Sequence, residues 1–368
     1  MSKFFHSLGL MSGTSGDGVD ASIIQSDGDT EYKVILDKYF KYTRNIYNNI
    51  HNLKDKINNS RDLQNLSKKI QLLEKELTIF HANAVNKIIK KSKYKIDFIG
   101  FHGQTIFHNA KEKISKQLGN GKLLSKLAKK TVIYDFRQND LKNGGHGAPL
   151  TPIFHRLLKK NFKIKDAIFV NIGGIVNITT LLNDESMSGT DIGPGMCLID
   201  RWLRLKSKKN YDESGIIARS GKINKKSLDQ LLDNFYKKVN ILNKGPIQSF
   251  DTKFFNFSFV KDLSLEDGAA TLTEFTTQII ISALKATELH KEKIILCGGG
   301  RKNNFLVEKL KKENVAIKLI DEYGVDGDFI ESQAFAYIAI RSYRKLPISF
   351  PETTGVNKAC TGGIIIKN

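Results

Sequence analysis

Cysteine, tryptophan and long apolar runs are scarce in this 368-residue chain. Its three cysteines, Cys197, Cys297 and Cys360, are far apart and form no CxxC or Cys/His pair. This spacing argues against a disulfide framework and a zinc site, and it is typical of a reducing compartment. No stretch approaches the roughly 18 apolar residues of a membrane span, and the first residues lack the apolar segment of a signal peptide. We therefore expect a soluble, cytoplasmic protein without a membrane partner.

Acidic residues are also in deficit, with 38 Asp and Glu against 58 Lys and Arg, which gives a formal net charge of +20. A basic surface attracts polyanions, so nucleic-acid binding is one hypothesis. However, only ten of the basic residues are Arg, the side chain best suited to bidentate phosphate and base recognition. No nucleic-acid motif accompanies the charge. We therefore predict a solvated Lys-rich surface and no nucleic-acid partner.

What the chain does contain is enough apolar material for a sizeable core, since 40% of its residues are hydrophobic. Its length fits two domains or one large one. Short apolar runs alternate with amphipathic stretches, which predicts an α/β fold. Strands are predicted at Phe4–Met11, Ala21–Ser26, Glu31–Lys38, Ile96–Gly100, Thr131–Tyr134, Ala167–Ile172 and Ile294–Cys297. A long helical region is predicted from about Ile46 to Lys91, and helices are predicted at Leu263–Leu284 and Glu331–Ile340. A strand–glycine turn–strand pattern near residue 13 returns near residue 173, which suggests two similar lobes facing a cleft.

The first candidate site is the glycine-rich segment Met11–Asp20, which reads MSGTSGDGVD. Its glycines let the backbone approach a ligand, and its hydroxyl and N–H groups can bind phosphate oxygens. Asp17 and Asp20 are candidate Mg²⁺ ligands. An ordinary hairpin turn is the alternative, because Gly, Ser and Asp favour turns. No Gly-Lys-Ser/Thr follows, which excludes a Walker P-loop. The residues predicted to bind the nucleotide here are Gly13, Thr14, Ser15, Gly16, Asp17, Gly18, Val19 and Asp20.

Two further glycine-rich segments each follow a strand. Asn171–Asn177 (NIGGIVN) repeats the strand–turn–strand pattern, with a plain hairpin as the alternative. Leu296–Asn304 (LCGGGRKNN) allows close backbone passage against adenine or ribose, and a helix beginning near its end would add N–H donors. A flexible connector is the alternative there. The predicted nucleotide contacts in these two segments are Gly173, Gly174, Asn177, Gly298, Gly299, Gly300 and Asn303.

Asp191 is the candidate catalytic base. It lies in Gly189–Gly195 (GTDIGPG), just before a Gly-Pro-Gly sequence that we expect to form a rigid turn. A general base must be held within hydrogen-bonding distance of its water or hydroxyl, and a rigid turn would hold it there. A turn-capping role is the alternative for any Asp before Gly. The nearby candidate phosphate loops favour catalysis.

Polar clusters complete the set of motifs. Phe101–Thr105, Asp135–Asp140 and Gly144–Leu150 carry His, Gln, Arg and Asp side chains that can present hydrogen bonds to a sugar. An isolated histidine is more often structural than catalytic, so we interpret His102 and His146 as residues that shape loops.

Together these motifs resemble the anhydro-N-acetylmuramic acid kinase family, and the resemblance runs nearly from end to end. The matching segments, in chain order, are Met11–Ser15 with Asp20, Gly103–Thr105 with His108, Gly145–Leu150 with Pro152, Asn171–Gly174 with Asn177, Asp191 with Gly193–Gly195, Asp200 with Trp202, Ala269–Thr273 with Phe275, Cys297–Gly300 with Asn303, and Glu331 with Ala334–Ala336.

The resemblance implies a two-lobed, actin-like ATPase fold of the ribonuclease H-like type, with ATP in the interlobe cleft. Residues 1–138 plus 335–368 would form the N-terminal lobe with the first phosphate turn. Residues 139–334 would form the C-terminal lobe with the second phosphate turn, the catalytic Asp and the adenosine loop. It also implies a homodimer.

The implied reaction is an ATP-dependent and Mg²⁺-dependent one. Water opens the 1,6-anhydro ring of anhydro-N-acetylmuramic acid and O6 receives the γ-phosphoryl group, giving N-acetylmuramic acid 6-phosphate and ADP in peptidoglycan recycling. By match to the family motif, Asp191 is the base that activates the water. Gln104, Arg137 and Glu331 lie on family motifs near the sugar and are the predicted substrate contacts.

The chain departs from the family pattern at two places. Met196 stands after Gly-Pro-Gly where the family commonly has Asn, and Phe250–Lys253 (FDTK) replaces a commoner Thr-Gly-Arg-Glu run. Two other functions remain as alternatives. One is a kinase of the same fold that acts on a different sugar. The other is a nucleotide-switched or nucleic-acid-binding protein without enzymatic activity.

Overall fold

The computed structural model describes residues 3–183, 186–242, 249–287, 293–313 and 316–368. The chain forms two compact units, of which the first comprises Met1–Ile164 with Asp328–Asn368 and the second Lys165–Gly327. Each unit combines a β-sheet with helices, so the predicted α/β class is confirmed. The lobe boundaries inferred from the sequence, and the roles given to each lobe, stay predictions.

The described residues form twelve strands. They are β1 (Phe5–Ser12), β2 (Gly18–Ser26), β3 (Tyr32–Lys41), β4 (Phe98–Asn109), β5 (Ile114–Leu118), β6 (Thr131–Tyr134), β7 (Ala167–Ile172), β8 (Ile175–Leu181), β9 (Met187–Pro194), β10 (Lys293–Cys297), β11 (Ile317–Leu319) and β12 (Ile364–Ile366).

The α-helices of the described residues are α1 (Arg44–Lys56), α2 (Ser60–Asn65), α3 (Ser67–Ile89), α4 (Gly121–Ala128), α5 (Gln138–Lys142), α6 (Pro152–Asn161), α7 (Cys197–Lys206), α8 (Ile216–Ser220), α9 (Lys225–Leu242), α10 (Leu265–Lys285), α11 (Asn304–Glu313), α12 (Ile330–Tyr343) and α13 (Pro351–Thr354). Short 3₁₀ helices occur at Glu213–Gly215, Thr252–Phe254, Ser258–Val260, Gly299–Lys302 and Ile320–Tyr323. None of the helices in these described ranges combines the length and apolar character that a bilayer span requires.

The first unit is built on a mixed sheet of seven strands. Their order is β12-β6-β4-β1-β2-β3, and β5 pairs with β4 outside that path. β1 runs antiparallel to β2 and parallel to β4. The sharp β1–β2 connection therefore carries the first glycine-rich segment at the end of a central strand, where backbone groups are no longer needed by the sheet.

Helix α12 lies directly on this sheet because two neighbouring strands have glycine at the contact. Gly9 and Gly100 are register partners on β1 and β4. A Cβ atom at Gly9 would lie 1.9 Å from the carbonyl oxygen of Ser332, and one at Gly100 would lie 2.3 Å from that of Phe335. Side chains alternate across a strand, so Leu8 and Leu10 point instead into the core that α1 and α3 share with the sheet.

The second unit has a five-stranded sheet in the order β11-β10-β7-β8-β9. β10 is parallel to β7 and β11, whereas β7, β8 and β9 form an antiparallel meander. Helix α10 packs closely on Trp202 of α7, because a Cβ atom at Gly268 would lie 2.4 Å from the indole ring. The fully buried Trp202 donates its indole N–H to the carbonyl oxygen of Leu265 at 2.9 Å.

The region predicted to be helical, from about Ile46 to Lys91, is helical in the structure but is not one continuous helix. The structure divides the region into α1, α2 and α3. Asn59 caps α2 by accepting from the N–H of Arg61, and the Asp62 carboxylate accepts from the N–H of Asn59 at 3.1 Å. An Asn that binds the backbone in this way competes with helix continuation, and the apolar spacing alone did not reveal it.

The rigid turn expected at Gly193–Gly195 is wrong for its first two residues, because they belong to strand β9, which also contains Asp191. That strand continues to Pro194 and pairs antiparallel with β8, after a register shift between Val176 and Asn177. The predicted strand at Ile96–Gly100 extends much further, as β4, to Asn109. His102 is therefore a strand residue and not a loop residue.

Candidate functional site

The first glycine-rich segment forms a tight turn between β1 and β2. Gly16 adopts a φ of +60°, which favours glycine, and donates its N–H to the Gly13 carbonyl oxygen at 3.1 Å. Thr14 and Ser15 are exposed at the tip of the turn. Gly18 and Val19 already belong to β2, and Val19 is fully buried. The turn therefore presents a short, exposed stretch of backbone on a rigid base.

Below the turn lies a buried polar group that joins three segments. The Ser12 hydroxyl lies 2.7 Å from the amide oxygen of Gln104 and 2.8 Å from the hydroxyl of Tyr42, and it also approaches the Gly18 carbonyl oxygen at 2.9 Å. The amide nitrogen of Gln104 donates to the Gly13 carbonyl oxygen at 3.0 Å. Burial raises the pKa of Tyr42 well above its usual value, so the phenol stays protonated. These contacts fix the base of the turn.

The two acidic residues proposed for Mg²⁺ differ in their environments. Asp17 is exposed and accepts a hydrogen bond from the Ser15 hydroxyl at 2.5 Å, while Asp20 is half-buried in β2. No cluster of three or more His, Cys, Asp or Glu side chains suited to a metal occurs in the described ranges. A metal here would therefore need ligands from outside the protein.

The polar motifs of the first unit meet around Arg137. Its Nε and Nη2 atoms lie 3.2 and 2.9 Å from Nε2 of His102, and Nη1 donates to the Gly147 carbonyl oxygen at 2.6 Å. Burial and then the neighbouring guanidinium lower the pKa of His102 to about 3. The same two causes lower the pKa of His108 to about 3. Both imidazoles are neutral near pH 7, so His102 can accept the guanidinium's hydrogen bond.

Asp140 holds the neighbouring Gly145–Gly147 segment. Its carboxylate accepts from the Gly147 N–H and from the Thr354 hydroxyl, both at 2.6 Å. The N–H of His146 donates to the Thr354 carbonyl oxygen at 2.7 Å. A Cβ atom at Gly145 would lie 2.1 Å from the Asp140 carboxylate, so only glycine fits there. The C-terminal segment thus braces this loop.

In the second unit, the Gly173–Gly174 turn is tied to the segment that precedes α7. Gly195 donates its N–H to the Gly174 carbonyl oxygen at 3.0 Å, and Met196 donates to that of Gly173 at 2.9 Å. A Cβ atom at Gly195 would lie 2.3 Å from the Gly173 carbonyl oxygen, which explains why glycine follows Pro194. The Met196 side chain packs, partly buried, against the hydrophobic core.

Asp191 is buried and held by a backbone donor. The N–H of Phe250 donates to the Asp191 carboxylate at 2.9 Å. Phe250 itself stacks on Phe254 with ring centroids 5.1 Å apart and contacts Phe255 edge-on at 5.4 Å. The register of β8 and β9 places Asn177 opposite Asp191. The carboxylate is therefore fixed by an aromatic cluster and by sheet pairing.

The triple-glycine loop passes tightly over the end of β7. Gly298 has a φ of +78°, and a Cβ atom there would lie 2.4 Å from the side-chain oxygen of Asn171. One at Gly300 would lie 2.3 Å from Ile172, whereas Gly299 has open space around it. Asn303 accepts the N–H of Leu306 at 3.0 Å and so caps α11, which begins where the sequence predicted.

Arg301 fastens this loop to the following segment. It is 3% exposed, and its Nε and Nη2 atoms bind the two carboxylate oxygens of Asp321 at 2.7 and 2.9 Å. Nη1 donates to the Gly298 carbonyl oxygen at 3.2 Å. Hydrogen bonding to Arg301 is the main cause that lowers the pKa of Asp321.

One known protein family matches this chain over nearly its whole length. Residues 5–368 match the sequence model of a family described as anhydro-N-acetylmuramic acid kinase. The chain belongs to the anhydro-N-acetylmuramic acid kinase family. The family predicted from the motifs is thereby confirmed.

Relatives in this family cover the chain from end to end. The anhydro-N-acetylmuramic acid kinase of Pelagibacter ubique (strain HTCC1062) is 54% identical over 378 residues, which span 100% of both chains. That of Agrobacterium fabrum (strain C58 / ATCC 33970) is 33% identical over 370 residues, which span 98% of each chain.

Two solved structures align with most of the chain at low similarity. An activator of the 2-hydroxyisocaproyl-CoA dehydratase from Clostridium difficile with bound ADPNP covers 92% of this chain and 96% of its own, with 12% identity and a TM-score of 0.38. The ethanolamine utilization protein EutJ from Carboxydothermus hydrogenoformans covers 91% and 89%, with 10% identity and a TM-score of 0.36. Likeness at this level supports no functional conclusion.

The anhydro-N-acetylmuramic acid kinase motifs fall into local groups within each unit. In the first unit, Gln104 lies against the first turn, and Arg137 lies against His102 and Gly147. Glu331 is half-buried in the first turn of α12. In the second unit, Asn177 and Asp191 face each other across β8 and β9. The assigned roles of these residues stay predictions.

Several residues that support this kinase-family site were missed by the sequence analysis. Lys54, Tyr42 and Thr354 contact the motif loops but carry no motif of their own. Asp140 belongs to the predicted polar cluster Asp135–Asp140, but its support of the Gly145–Gly147 segment was not predicted. Asp140 had a usable signal, because it precedes the Gly-Gly-His-Gly run that it supports. For the other three, sequence separation hid the contact.

Proposed function

We propose that this chain catalyses the ATP-dependent conversion of anhydro-N-acetylmuramic acid to N-acetylmuramic acid 6-phosphate, as a step of peptidoglycan recycling. The full-length membership in the anhydro-N-acetylmuramic acid kinase family carries this proposal. ATP supplies the phosphoryl group, the sugar is the acceptor, and water is the third reactant.

Asp191 acts as the general base. Its buried carboxylate, oriented by the Phe250 N–H, takes a proton from a water molecule whose oxygen attacks the anomeric carbon. The bond between that carbon and O6 breaks, and its electron pair stays on O6. O6 then attacks the γ-phosphorus, and the bond to the β-phosphate oxygen breaks to release ADP. The two steps share one site because O6 is no nucleophile until the ring opens.

The nucleotide is bound by backbone rather than by lysine side chains. The exposed turn at Gly13–Gly16 and the turn at Gly173–Gly174 bind phosphate oxygens, and Gly298–Gly300 with Asn303 contacts the adenosine. Gly299 supports this, because nothing lies within 4 Å of the position that its Cβ atom would occupy. Phosphoryl transfer depends mainly on positioning and on neutralising charge, which preorganised N–H groups can provide.

Mg²⁺ fits the residues present. In ATP-dependent enzymes it takes one or two carboxylates and completes its shell with phosphates and water. Asp17 and Asp20 would supply those carboxylates from the turn and from the beginning of β2. The ion would neutralise charge on the β- and γ-phosphates.

Substrate contacts are proposed for Gln104, Arg137 and Glu331. Arg137 supports this best, because its guanidinium is held in place by His102 and the Gly147 carbonyl oxygen. A fixed positive charge suits the carboxylate of the lactyl group. We also include in the proposal a homodimer, as the family resemblance implies, and a cytoplasmic location, as the cysteine spacing suggests. Light scattering on the purified protein would show the dimer as twice the mass of the chain.

Release of ADP tests this proposal directly. The wild-type protein should release ADP with anhydro-N-acetylmuramic acid and ATP, and much less with N-acetylmuramic acid. Asp191→Asn keeps the shape of the side chain but removes the base, so turnover should fall about 10²- to 10⁴-fold. A coupled spectrophotometric assay measures both, and binding of a non-hydrolysable ATP analogue should change little.

A panel of related sugars provides the comparison. If another sugar supports faster ADP release than the anhydro compound, the alternative of a different substrate is correct. If Asp191→Asn retains near-normal turnover, Asp191 is not the base. A wild-type protein that binds the ATP analogue but releases no ADP with any of these sugars would contradict the proposed function.

A further inference from the structure

Four carbonyl oxygens of the first glycine turn, those of Gly13, Thr14, Ser15 and Asp17, each have a hydrogen-bond partner elsewhere in the protein. Gln104 donates to the carbonyl oxygen of Gly13 at 3.0 Å, and Lys54 donates to that of Thr14 at 3.1 Å. The ring of His51 lies 2.9 Å from the Ser15 carbonyl oxygen, and the Tyr42 N–H donates to that of Asp17 at 2.8 Å. The oxygen side of the turn is therefore turned towards the protein.

Two N–H groups of the turn, in contrast to these carbonyl oxygens, have no partner within the described residues. Across the ranges that the structure describes, the N–H groups of Thr14 and Ser15 have no hydrogen-bond acceptor, and both residues are exposed. In a planar trans peptide the C=O and N–H groups point in opposite directions. A donor that holds the Gly13 carbonyl thus sets the direction of the Thr14 N–H. In the same way, a donor that holds the Thr14 carbonyl sets the direction of the Ser15 N–H.

The two donors are themselves held firmly. Gln104 is fully buried on β4, and its amide oxygen is 2.7 Å from the Ser12 hydroxyl. Lys54 is half-buried in α1, next to the buried Leu53 and one turn after the fully buried Ile50. Thr43 caps the helix by accepting the N–H of Ile46. The contacts of α1 with the core therefore determine where the ammonium group lies.

We propose that Gln104 and Lys54 are positioning residues that aim the Thr14 and Ser15 N–H groups at a phosphate of the nucleotide. Consecutive N–H groups with a common direction form a binding site for anions. For Gln104 this role differs from the sugar contact implied by the family motif. The inference rests on the proposed function only in taking this turn as a phosphate-binding element.

Binding of a non-hydrolysable ATP analogue with Mg²⁺, measured by titration calorimetry, tests the inference without turnover. Lys54→Met keeps the aliphatic stem and removes the donor, so the Kd should rise about three- to tenfold. Gln104→Met retains the volume and should raise the Kd by about tenfold. Lys56→Met is the matched control, because Lys56 is an exposed lysine of the same helix. It should bind the analogue as the wild type does.

Kinetics separate positioning from other roles. The KM for ATP should rise in both variants, while the KM for the sugar stays within about twofold of wild type. A structural defect alone would lower the thermal midpoint without this selective change, and Lys54→Arg should recover most of the affinity because it restores a donor.

Two results would overturn the inference. One is that Lys54→Met and Gln104→Met bind the analogue as tightly as Lys56→Met. The other is that Gln104→Met changes only the KM for the sugar, which would make Gln104 a substrate contact. Failure of the proposed function looks different: the wild type would bind the analogue and respond to Lys54→Met, yet release no ADP with the sugar.

Discussion

Arg301 shows how one side chain can stabilise a whole loop. Its guanidinium is almost completely buried, binds Asp321 through two hydrogen bonds and also reaches the Gly298 carbonyl oxygen. A Cβ atom at Gly327 would lie 2.2 Å from the Nε atom of Arg301. The contact therefore links the triple-glycine loop to the segment after β11.

Arg301→Met should lower the free energy of unfolding by about 1–3 kcal/mol, because Asp321 and the Gly298 carbonyl lose their donor. The estimate lies below the usual loss for a buried pair, since Asp321 is 42% exposed and water can solvate it. Urea unfolding measures the change. Lys311→Met, at an exposed position of α11, is the control. Equal unfolding midpoints for the two variants would contradict the assignment.

Asp191, in strand β9, illustrates what a residue pattern can and cannot show. Its place beside Gly-Pro-Gly led to its prediction as the base, which stays a prediction, and it is buried in the structure. Its location in β9, and its bond to a backbone N–H 59 residues further along the chain, were not visible in the sequence. Both depend on sheet pairing and on where the aromatic cluster packs.

Among the secondary-structure elements, the contact of α12 with the first sheet depends on glycine. Gly100→Ala should destabilise the protein by about 2–4 kcal/mol, because its Cβ would lie 2.3 Å from the backbone oxygen of Phe335 and the helix must move. Thermal unfolding checks this. Gly299→Ala serves as the comparison for stability, since nothing lies within 4 Å of its Cβ position. If the thermal midpoint of Gly100→Ala is close to that of Gly299→Ala, the sheet accommodates the extra methyl group at little cost in free energy.

Most strands were predictable as elements, since β1, β6, β7 and β10 follow short apolar runs bounded by polar or glycine-rich segments. The errors concern where elements end and elements that were not predicted, among them β5 and β9. α1 and α2 are separated by the cap at Asn59, and β9 is a strand because β8 pairs with it. Local hydrogen bonding decided the first case and long-range pairing the second, so apolar spacing could reveal neither.

At the scale of the whole molecule, buried histidines make stability depend on pH. His81, His102 and His155 are all buried in the first unit, and burial lowers their pKa values to about 4, 3 and 3. Their unfolded value is about 6.5. The folded state therefore resists protonation that the unfolded state accepts. Their stabilising contribution is complete above pH 6.5 and is lost as the pH falls towards the folded values.

We expect the free energy of unfolding to fall between pH 6.5 and 5. Each histidine contributes a slope of up to about 1.4 kcal/mol per pH unit. Unfolding midpoints measured in urea from pH 7.5 to 5 would show this decline. Asp321, whose pKa is lowered, loses its contribution only below about pH 4, so it does not account for a decline above pH 5. A flat profile over this range would mean that these imidazoles are protonated in the folded protein.

The sequence by itself determined the family, the α/β class and the segments that carry the motifs, because glycine turns and their polar neighbours are local patterns. The tertiary structure alone decided how those segments are supported. Gln104 reaches the Gly13 carbonyl across 91 positions, and Arg137 reaches His102 across 35. Side chains so far apart meet only after sheet order and helix packing are set, and no local pattern encodes that placement.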